Sequence, residues 1–302
     1  MLDNDELRKR LSTVRDVVYR NLMKEYLPFP IDKGIATKWA HEDGVKRGGS
    51  AIIYTSYMYQ MASVFRSLER LLPSFGSLGK IGLIASLGSR LIRPSESEIR
   101  RSSLILGNIY RIVRASGKDV GYLYEDEPYS GALLYELGFI DEFKEYGKRL
   151  LGFFRERGVK EIITVDPHTT FALENYRRLI GFDLQFTSYL ELEIRARGSG
   201  RYAIHDSCIY SRLLDRYDRI RQVVTAAGIE AVEDERVTGR GMGFCCGGPL
   251  GPLDSKLSEE MARARAKSLK ALNDEALVFC PLCYENLSPY MKVKDFAEVI
   301  SP

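Results

Sequence analysis

The sequence contains no cysteine before residue 208, and its five cysteines all lie from that point on: Cys208, the adjacent Cys245 and Cys246, then Cys280 and Cys283. Cysteines used only as small buried apolar residues would be expected throughout the chain. An odd number of cysteines also argues against a secreted fold held together by disulfides. The concentration of thiols in the last third therefore indicates metal ligands or redox groups.

The sequence also lacks long apolar runs and a large net charge. No stretch approaches the roughly 18 uninterrupted apolar residues of a membrane-spanning helix, and the first ten residues, MLDNDELRKR, contain no apolar segment of a secretory signal. We therefore expect a protein of the reducing cytoplasm, with any membrane association made through a complex. The formal net charge is +3 and the basic residues are spread along the chain, which argues against nucleic acid as a partner.

Short β-branched runs alternate with long amphipathic segments, which predicts an α/β fold built on parallel sheets. Strands are predicted at residues 50–55, 120–124, 161–165, 184–192, 202–206, 229–232, 276–279 and 296–300. Helices are predicted at residues 5–25, 98–115, 132–157, 208–227 and 256–272. We expect an N-terminal helical extension over residues 1–49, followed by two Rossmann-like halves at residues 50–195 and 196–302.

The two halves are related by a degenerate internal repeat. Residues 53–59 (IYTSYMY) align with residues 204–210 (IHDSCIY), and two shorter segments align in the same way. The alignment gives the counterparts of the five cysteines in the first half, in chain order: Tyr57, Tyr124, Glu125, Asp166 and Thr169. Only the second half therefore keeps the side chains that bind a thiolate-ligated metal centre.

The cysteines come directly after predicted strands. In an open parallel sheet, ligands bind outside the carboxyl ends of the strands. Cys208, the Cys245–Cys246 pair and Cys280 each follow such a strand, so the fold should gather them at one edge despite gaps of 36 and 33 residues. Gly247 and Gly248 follow the pair, where they allow close backbone approach or positive φ.

Five converging thiolates need a cation among them, because they would otherwise repel one another and resist ionisation. Soft sulfur ligands select zinc or iron–sulfur clusters. Zinc normally takes four ligands, and ordinary four-iron clusters also take four. The fifth sulfur therefore indicates a bridged arrangement or a spare redox thiol. Five buried structural cysteines are the alternative, which the vicinal pair and the paired spacing disfavour.

The motifs CCGGP at residues 245–249 and CPLC at residues 280–283 resemble the cysteine-rich CCG domain. This domain is found in the cysteine-rich subunit of heterodisulfide reductase and in its relatives, and the resemblance covers about residues 50–302. It implies a non-cubane four-iron, four-sulfur (4Fe-4S) cluster held by all five cysteines: Cys208, Cys245, Cys246, Cys280 and Cys283. It also implies a ferredoxin-like iron–sulfur partner, similar to the ferredoxin-like subunit of heterodisulfide reductase, and a flavoprotein partner.

The chain departs from the methanogenic heterodisulfide reductase, whose cysteine-rich subunit carries the motif in both halves and splits a disulfide between two clusters. With one motif, that two-cluster cleavage cannot be carried over. We therefore predict an electron-transfer subunit of a heterodisulfide reductase-like oxidoreductase with a single cluster. The alternatives are a membrane-docking or anchor subunit of a succinate dehydrogenase-type quinone-linked complex, and a zinc-bearing structural subunit.

The repeat places Glu125, Asp166 and His168 around the vacated site of the first half. In a polar substrate or proton-handling pocket, His168 and Glu125 would be the catalytic residues, since an imidazole exchanges protons near neutral pH. The alternative, which we favour, is that polar side chains fill the lost metal site with hydrogen bonds. His205 and Asp206, just before Cys208, would either hydrogen-bond cluster sulfurs or only cap the strand.

The first half also carries an insertion. Between Tyr57 and Tyr124 lie 66 residues, against 36 between their counterparts, which predicts a helical insertion at about residues 66–97. Basic residues opposite an apolar stripe at residues 74–93 suit a membrane interface or a groove on a partner subunit. The alternative is a pair of helices packed on their own domain.

Overall fold

The computed structural model describes residues 4–71 and 93–301, with the side chains of residues 68–71 excepted. The segment predicted to contact a membrane or partner, residues 74–93, lies outside the described residues apart from its last position. Among the helices that are described, none combines the length and the apolar character needed to cross a membrane.

The first half alternates helices with three short strands, and its elements are numbered in chain order. They are α1 (Asn4–Glu25), α2 (Lys33–Ala36), α3 (Lys38–Glu42), β1 (Ala51–Tyr54), α4 (Met58–Leu71), α5 (Glu96–Ala115), α6 (Ala132–Glu136), α7 (Ile140–Glu156), β2 (Glu161–Thr164), α8 (Pro167–Ile180) and β3 (Gln185–Ser188). Capping residues determine where several of these helices begin and end. Helix α5 starts at a capping box of Ser95 and Glu98, and α8 ends at Gly181, whose φ of 68° suits glycine.

The second half contains the remaining strands and shorter helices. Its elements are β4 (Arg197–Gly198), β5 (Arg201–Ile204), a π-helical turn (Ile209–Leu213), α9 (Tyr217–Ala226), β6 (Glu230–Val232), α10 (Glu235–Thr238), α11 (Ser255–Lys270), β7 (Glu275–Val278), α12 (Pro281–Leu287), β8 (Lys292–Asp295), α13 (Phe296–Val299) and β9 (Ile300–Ser301). Strands β4 and β9 form a small antiparallel pair.

The two main sheets have the same topology. In the first, parallel strands run in the order β1-β2-β3, and Gly121 forms a parallel bridge to Ile52 on the open side of β1. In the second, all four strands are parallel in the order β6-β5-β7-β8. The strands are largely buried on both faces, which is why they occur as continuous apolar runs in the sequence. The predicted α/β fold of two parallel-sheet halves is confirmed.

Five predicted elements differ from the structure in type or extent. Of residues 184–192, which were expected to form one strand, only 185–188 do so, and a 3₁₀ turn follows at Tyr189–Glu191. Residues 296–300 were predicted as a strand, but the last long strand is β8, because Asp295 forms a capping box with Glu298 and starts a helix. The helix predicted at residues 132–157 is two helices, since Gly138 has a φ of 83° and ends the first. The helix predicted at residues 208–227 begins as a separate π-helical turn. Residues 120–124 form isolated bridges followed by a 3₁₀ turn.

Apolar packing joins the two halves. One buried cluster contains Ile53 and Ile163 of the first sheet together with Ile204 and Leu277 of the second. Helix α12 of the second half also packs against α4 of the first. This packing brings the segment after β7 in the second half next to side chains of the first half, so both halves contribute to the surroundings of the cysteines.

Candidate metal centre

The cysteines lie at positions where local backbone structure changes. Cys208 precedes the π-helical turn. Cys245 and Cys246 precede Gly247, which has a φ of 88° and whose N–H donates to Cys245 Sγ at 3.3 Å. Cys280 is the N-cap residue of α12, with a proline at the first helical position, and Cys283 lies in the first turn of that helix.

The structure brings all five thiols together. Cys208 Sγ lies 3.8 Å from Cys245 Sγ, and Cys246 Sγ lies 3.5 Å from Cys283 Sγ. Both distances exceed the roughly 2.05 Å of a disulfide bond, and all five cysteines are free. Cys280 interacts electrostatically with Cys208 of the first pair and with Cys246 of the second pair. The chain can therefore present five sulfurs to one centre.

The group of sulfurs has a buried side and a side near the surface. Cys246, Cys280 and Cys283 are at most 3% exposed and belong to an apolar cluster of the second half. Cys208 and Cys245 are half-buried. A centre held by these thiols would be shielded from water on one side and would lie near solvent, or a docked partner, on the other.

The thiols perturb one another strongly. The hydrogen bond from Cys208 holds the pKa of Cys245 well below its usual range. Burial opposes the ionisation of Cys280, but the Cys283 thiol and His168 lower its pKa to about 5. The pKa values of Cys208, Cys246 and Cys283 are raised, chiefly by hydrogen bonding to the neighbouring sulfurs. Several thiolates can thus ionise together only around a cation.

Buried polar atoms next to the sulfurs also fit a metal–thiolate centre. Arg265 is 0% exposed and forms no direct ion pair with a carboxylate in the described part of the chain, and its favourable electrostatic interactions are with Asp206 first and then with Cys283 and Cys246. Its Nη2 atom and His205 Nε2 are buried without hydrogen-bond partners among the described residues. A buried cation without a directly paired anion is costly. Asp206 acts on Arg265 electrostatically but is paired with Arg221, and an anionic metal–thiolate group beside Arg265 would add further counter-charge. The residues present therefore fit a cysteine-ligated iron–sulfur cluster.

Comparison with known protein families agrees with this donor set. Residues 202–288, which contain all five cysteines, match the cysteine-rich CCG domain. The chain carries a CCG domain.

Curated relatives extend the similarity beyond the CCG domain. The chain is 24% identical to EtfAB:quinone oxidoreductase of Syntrophomonas wolfei, over 93% of this chain and 38% of that protein. It is 27% identical to the probable iron-sulfur-binding oxidoreductase FadF of Bacillus subtilis, over 65% of this chain and 29% of that protein. It is 25% identical to a probable membrane-anchored ferredoxin of Chromohalobacter salexigens, over 67% of this chain and 34% of that protein.

The names and lengths of these relatives limit what the comparisons show about the chain. They are named as oxidoreductases or iron–sulfur proteins, and the chain spans only 29 to 38% of their lengths. No solved structure matches the chain. The comparisons thus connect the CCG domain with iron–sulfur proteins of oxidation–reduction, whereas heterodisulfide reductase is not among these three relatives.

His168 comes from the first half but touches the CCG domain. Its Nε2 atom lies 3.3 Å from Cys280 Sγ and its Nδ1 atom lies 2.6 Å from Glu136 Oε1. Burial alone would lower the pKa of His168, but Glu136 and the Cys280 sulfur raise it well above the usual value. The adjacent cavity, among the described residues, has a volume of about 20 Å³, which is room for about one water.

Glu125, the other residue predicted to be catalytic, has different surroundings. Its carboxylate accepts hydrogen bonds from Arg47 at 2.8 Å and from Thr37 at 3.2 Å, and its side chain is 41% exposed. The hydrogen bond from Arg47 is the main cause that lowers the pKa of Glu125 to about 2. Within the described ranges, Glu125 makes no hydrogen bond to His168 and does not line the cavity beside it.

The first half repeats the geometry of the CCG domain without its thiols. Tyr57 and Tyr124 align with Cys208 and Cys245, and the Tyr57 hydroxyl donates to the Tyr124 carbonyl at 2.8 Å. Asp166, the counterpart of Cys280, is likewise an N-cap residue followed by proline. Burial raises the pKa of Asp166 to about 6. Hydrogen bonds of polar side chains therefore occupy positions that sulfurs hold in the other half.

Glu127 gives this vacated site a pH dependence. It is 1% exposed and accepts hydrogen bonds from the Thr55 N–H and hydroxyl, both at 2.6 Å, and from Tyr122 at 3.0 Å. Burial raises its pKa to about 7 from 4.5. A raised carboxyl pKa contributes stability that is complete below the unfolded value and is lost as pH rises through the folded value. The shift corresponds to a loss of up to about 3 kcal/mol between pH 4.5 and 8.

Replacing Glu127 with Gln should remove that loss, because an amide can accept from the Thr55 N–H and does not ionise. As the pH rises from 5 to 8, we expect the free energy of unfolding of the parent chain to fall relative to that of the Glu127→Gln variant. Urea unfolding of both proteins at the two pH values measures the difference, and all other titrating groups cancel in the comparison. Parallel pH profiles for the two proteins would contradict the assignment.

Two residues near the sulfurs were missed by the sequence analysis. Glu136 reaches His168 from α6, and nothing in the local sequence indicates this contact. Arg265 had a usable signal. It lies on the buried stripe of α11 with Ala262, Ala266 and Leu269 at helical spacing, and an arginine on an otherwise apolar stripe needs a buried partner.

Proposed function

We propose that this chain is the electron-transfer part of an iron–sulfur oxidoreductase and that its CCG domain holds one non-cubane 4Fe-4S cluster. The proposed ligands are the five thiols: Cys208, Cys245, Cys246, Cys280 and Cys283. The observation that carries the proposal is the convergence of five free thiols beside a buried arginine that forms no direct ion pair with a carboxylate among the described residues. The fifth sulfur exceeds the four ligands of zinc or of an ordinary four-iron cluster.

A bound 4Fe-4S cluster supplies a redox centre that gains and loses electrons, and the protein controls access to it. Cys246, Cys280 and Cys283 keep water from one side, because they lie in an apolar cluster. Electrons would enter and leave on the side of Cys208 and Cys245. Phe244, which precedes Cys245, is 38% exposed, and Leu213, after Cys208, is 58% exposed. Such apolar side chains suit the contact surface of a redox partner.

The partners we propose are a flavoprotein that donates electrons and a ferredoxin-like iron–sulfur protein. The name of the Syntrophomonas relative couples EtfAB to a quinone, which supports a route from a donor protein to a quinone. A heterodisulfide reductase-like complex is the other assembly we consider, on the strength of the sequence resemblance. Mixing the reduced chain with a quinone analogue or with a heterodisulfide, and following reoxidation of the cluster by its absorbance, separates the two.

One observation favours a zinc site as a second candidate. Sulfurs bound to one tetrahedral zinc, at Zn–S distances of about 2.3 Å, lie roughly 3.8 Å apart. The Cys208–Cys245 and Cys246–Cys283 distances, 3.8 and 3.5 Å, are close to that value. A zinc site would make this a structural subunit without redox chemistry, and it would leave one of the five thiols unbound.

Metal analysis after anaerobic purification tests the proposal. We expect about four irons and four acid-labile sulfides per chain, a visible absorption band, and an EPR signal in one oxidation state. Aerobic and anaerobic preparations should differ in iron content, which serves as an internal control. One zinc per chain without sulfide would establish the second candidate, and a colourless protein without metal would remove the basis of both.

A further inference from the structure

His205 connects the sulfurs with the buried arginine. Its Nδ1 atom accepts a hydrogen bond from Arg265 Nε at 3.1 Å. Its Nε2 atom is buried without a partner among the described residues, and one of its ring nitrogens lies within 4.8 Å of both Cys246 Sγ and Cys283 Sγ. The ring is 0% exposed, so bulk water does not reach the free nitrogen.

The hydrogen bond from Arg265 decides which ring nitrogen carries the proton. A guanidinium can only donate hydrogen bonds, so His205 Nδ1 must present its lone pair to Arg265. The proton of the neutral ring is then on Nε2. A doubly protonated ring would direct its Nδ1–H toward the Arg265 N–H. It would also place two buried cations side by side, which is unfavourable. The Nε2 atom therefore carries an N–H and cannot act as a metal ligand without losing it.

We propose that His205 donates a hydrogen bond from Nε2–H to a sulfur of the bound cluster, and that Arg265 is the positioning residue that holds His205 in this tautomer. This inference rests on the proposed function, because it requires a redox-active cluster at the five thiols. In this arrangement His205 lies beside the cluster and does not bind iron, although one of its ring nitrogens is close enough to the Cys246 and Cys283 sulfurs to be a metal ligand.

The surrounding contacts hold this arrangement rigidly. Arg265 Nη1 donates to the Val237 carbonyl at 2.8 Å. Asp206, next to His205 in the chain, forms a two-point ion pair with Arg221, whose Nη2–Oδ2 distance is 2.8 Å. Since both the guanidinium and the strand end are fixed, the ring has little freedom to rotate out of its contact with Arg265.

The hydrogen bond has a defined effect on the cluster. A donor to a cluster sulfur stabilises the reduced state more than the oxidised state, because the reduced state carries more negative charge on sulfur. Removing the donor should therefore make the reduction potential more negative. The protein thus uses the Arg265–His205 pair to make the cluster a better electron acceptor.

A redox titration followed by EPR on the anaerobically purified full chain tests the inference. We expect His205→Phe to keep its iron and sulfide and to shift the potential to a more negative value. The expected size is about a tenfold change in the ratio of reduced to oxidised cluster, or about 59 mV for a one-electron couple. His205→Gln should restore part of the shift, since its amide offers both an acceptor to Arg265 and a donor to sulfur.

Arg265→Met should shift the potential in the same direction at unchanged iron content. Arg212→Met is the matched control, because Arg212 also acts on His205 and Arg265 through its charge but is exposed and makes no hydrogen bond to the ring. Its shift should be smaller than that of Arg265→Met. Equal shifts would mean that charge alone matters, and the positioning role of Arg265 would then be rejected.

Two results would overturn the role of His205. If His205→Phe loses iron, the ring is a ligand or is needed to build the site. If His205→Phe keeps iron and an unchanged potential, the hydrogen bond has no effect on the cluster. Failure of the proposed function is read separately, from the parent chain: a parent without iron and sulfide has no cluster to titrate, whatever the variants do.

Discussion

Single replacement of each of the five cysteines by serine removes most of the iron and sulfide from the anaerobically purified chain. Binding of the metal depends on the deprotonated sulfurs that ligate it, so the loss of one ligand should remove most of the bound metal. We expect the effect to be largest at Cys246 and Cys283, whose sulfurs lie 3.5 Å apart on the buried side. Iron and sulfide counts on each variant measure it.

The complete set of five variants distinguishes the proposed centres. A centre that uses all five sulfurs loses metal in every variant. A four-ligand centre, whether zinc or an ordinary cluster, leaves one variant with its full metal content. The matched control is Thr169→Ser in the first half. Thr169 aligns with Cys283, is buried at the same position of its helix, and has a hydroxyl without a partner among the described residues. Metal loss in that control would show that the assay reports stability and not ligation.

Replacing Gly247 with alanine should destabilise the CCG domain and reduce its iron content. Gly247 has a φ of 88°, and an added Cβ would lie 2.6 Å from the Ser258 carbonyl oxygen, a backbone atom of α11. That helix cannot move easily, because Ser258 is 0% exposed and its hydroxyl donates to the Gly247 carbonyl at 2.9 Å. The left-handed conformation alone costs a non-glycine residue about 1–2 kcal/mol, and the clash adds to this.

Gly241→Ala provides the control within the same segment. Gly241 has a φ of 81°, and nothing lies within 4 Å of an added Cβ there. Its replacement should therefore cost only the conformational part, without a loss of iron. Denaturant unfolding and iron content are measured for both variants. Equal losses for Gly241→Ala and Gly247→Ala would mean that the contact with Ser258 does not constrain the loop of the vicinal cysteines.

Some sequence signals predicted the secondary structure correctly, and others did not. The alternation of apolar runs and amphipathic segments predicted the two parallel sheets, because burial on both faces leaves a continuous apolar strand. The same reasoning failed at residues 296–300, where the capping box of Asp295 and Glu298 starts a helix in an apolar segment. A short apolar run has no period that distinguishes strand from helix, and only the capping signal decides.

Part of the candidate site could likewise be predicted from the sequence, and part could not. The spacing of Cys208, Cys245, Cys246, Cys280 and Cys283 and their places after strands predicted a shared centre, and the structure brings these thiols together. The sequence could not indicate that His168 of the first half would lie 3.3 Å from Cys280, since 112 residues separate them. It also could not indicate that Glu125 pairs with Arg47 away from that contact.

The sequence by itself determined the type of fold, the repeat and which thiols are candidate ligands, because these depend on residue type, periodicity and the order of strands. Only the tertiary structure decided which side chains surround the donors. The packing of α4 against α12 and of α11 over its sheet sets His168, His205 and Arg265 beside the sulfurs. The contact of His168 with Cys280 depends on how whole elements pack and has no local sequence pattern, whereas Arg265 on its apolar stripe and His205 near Cys208 gave partial sequence signals.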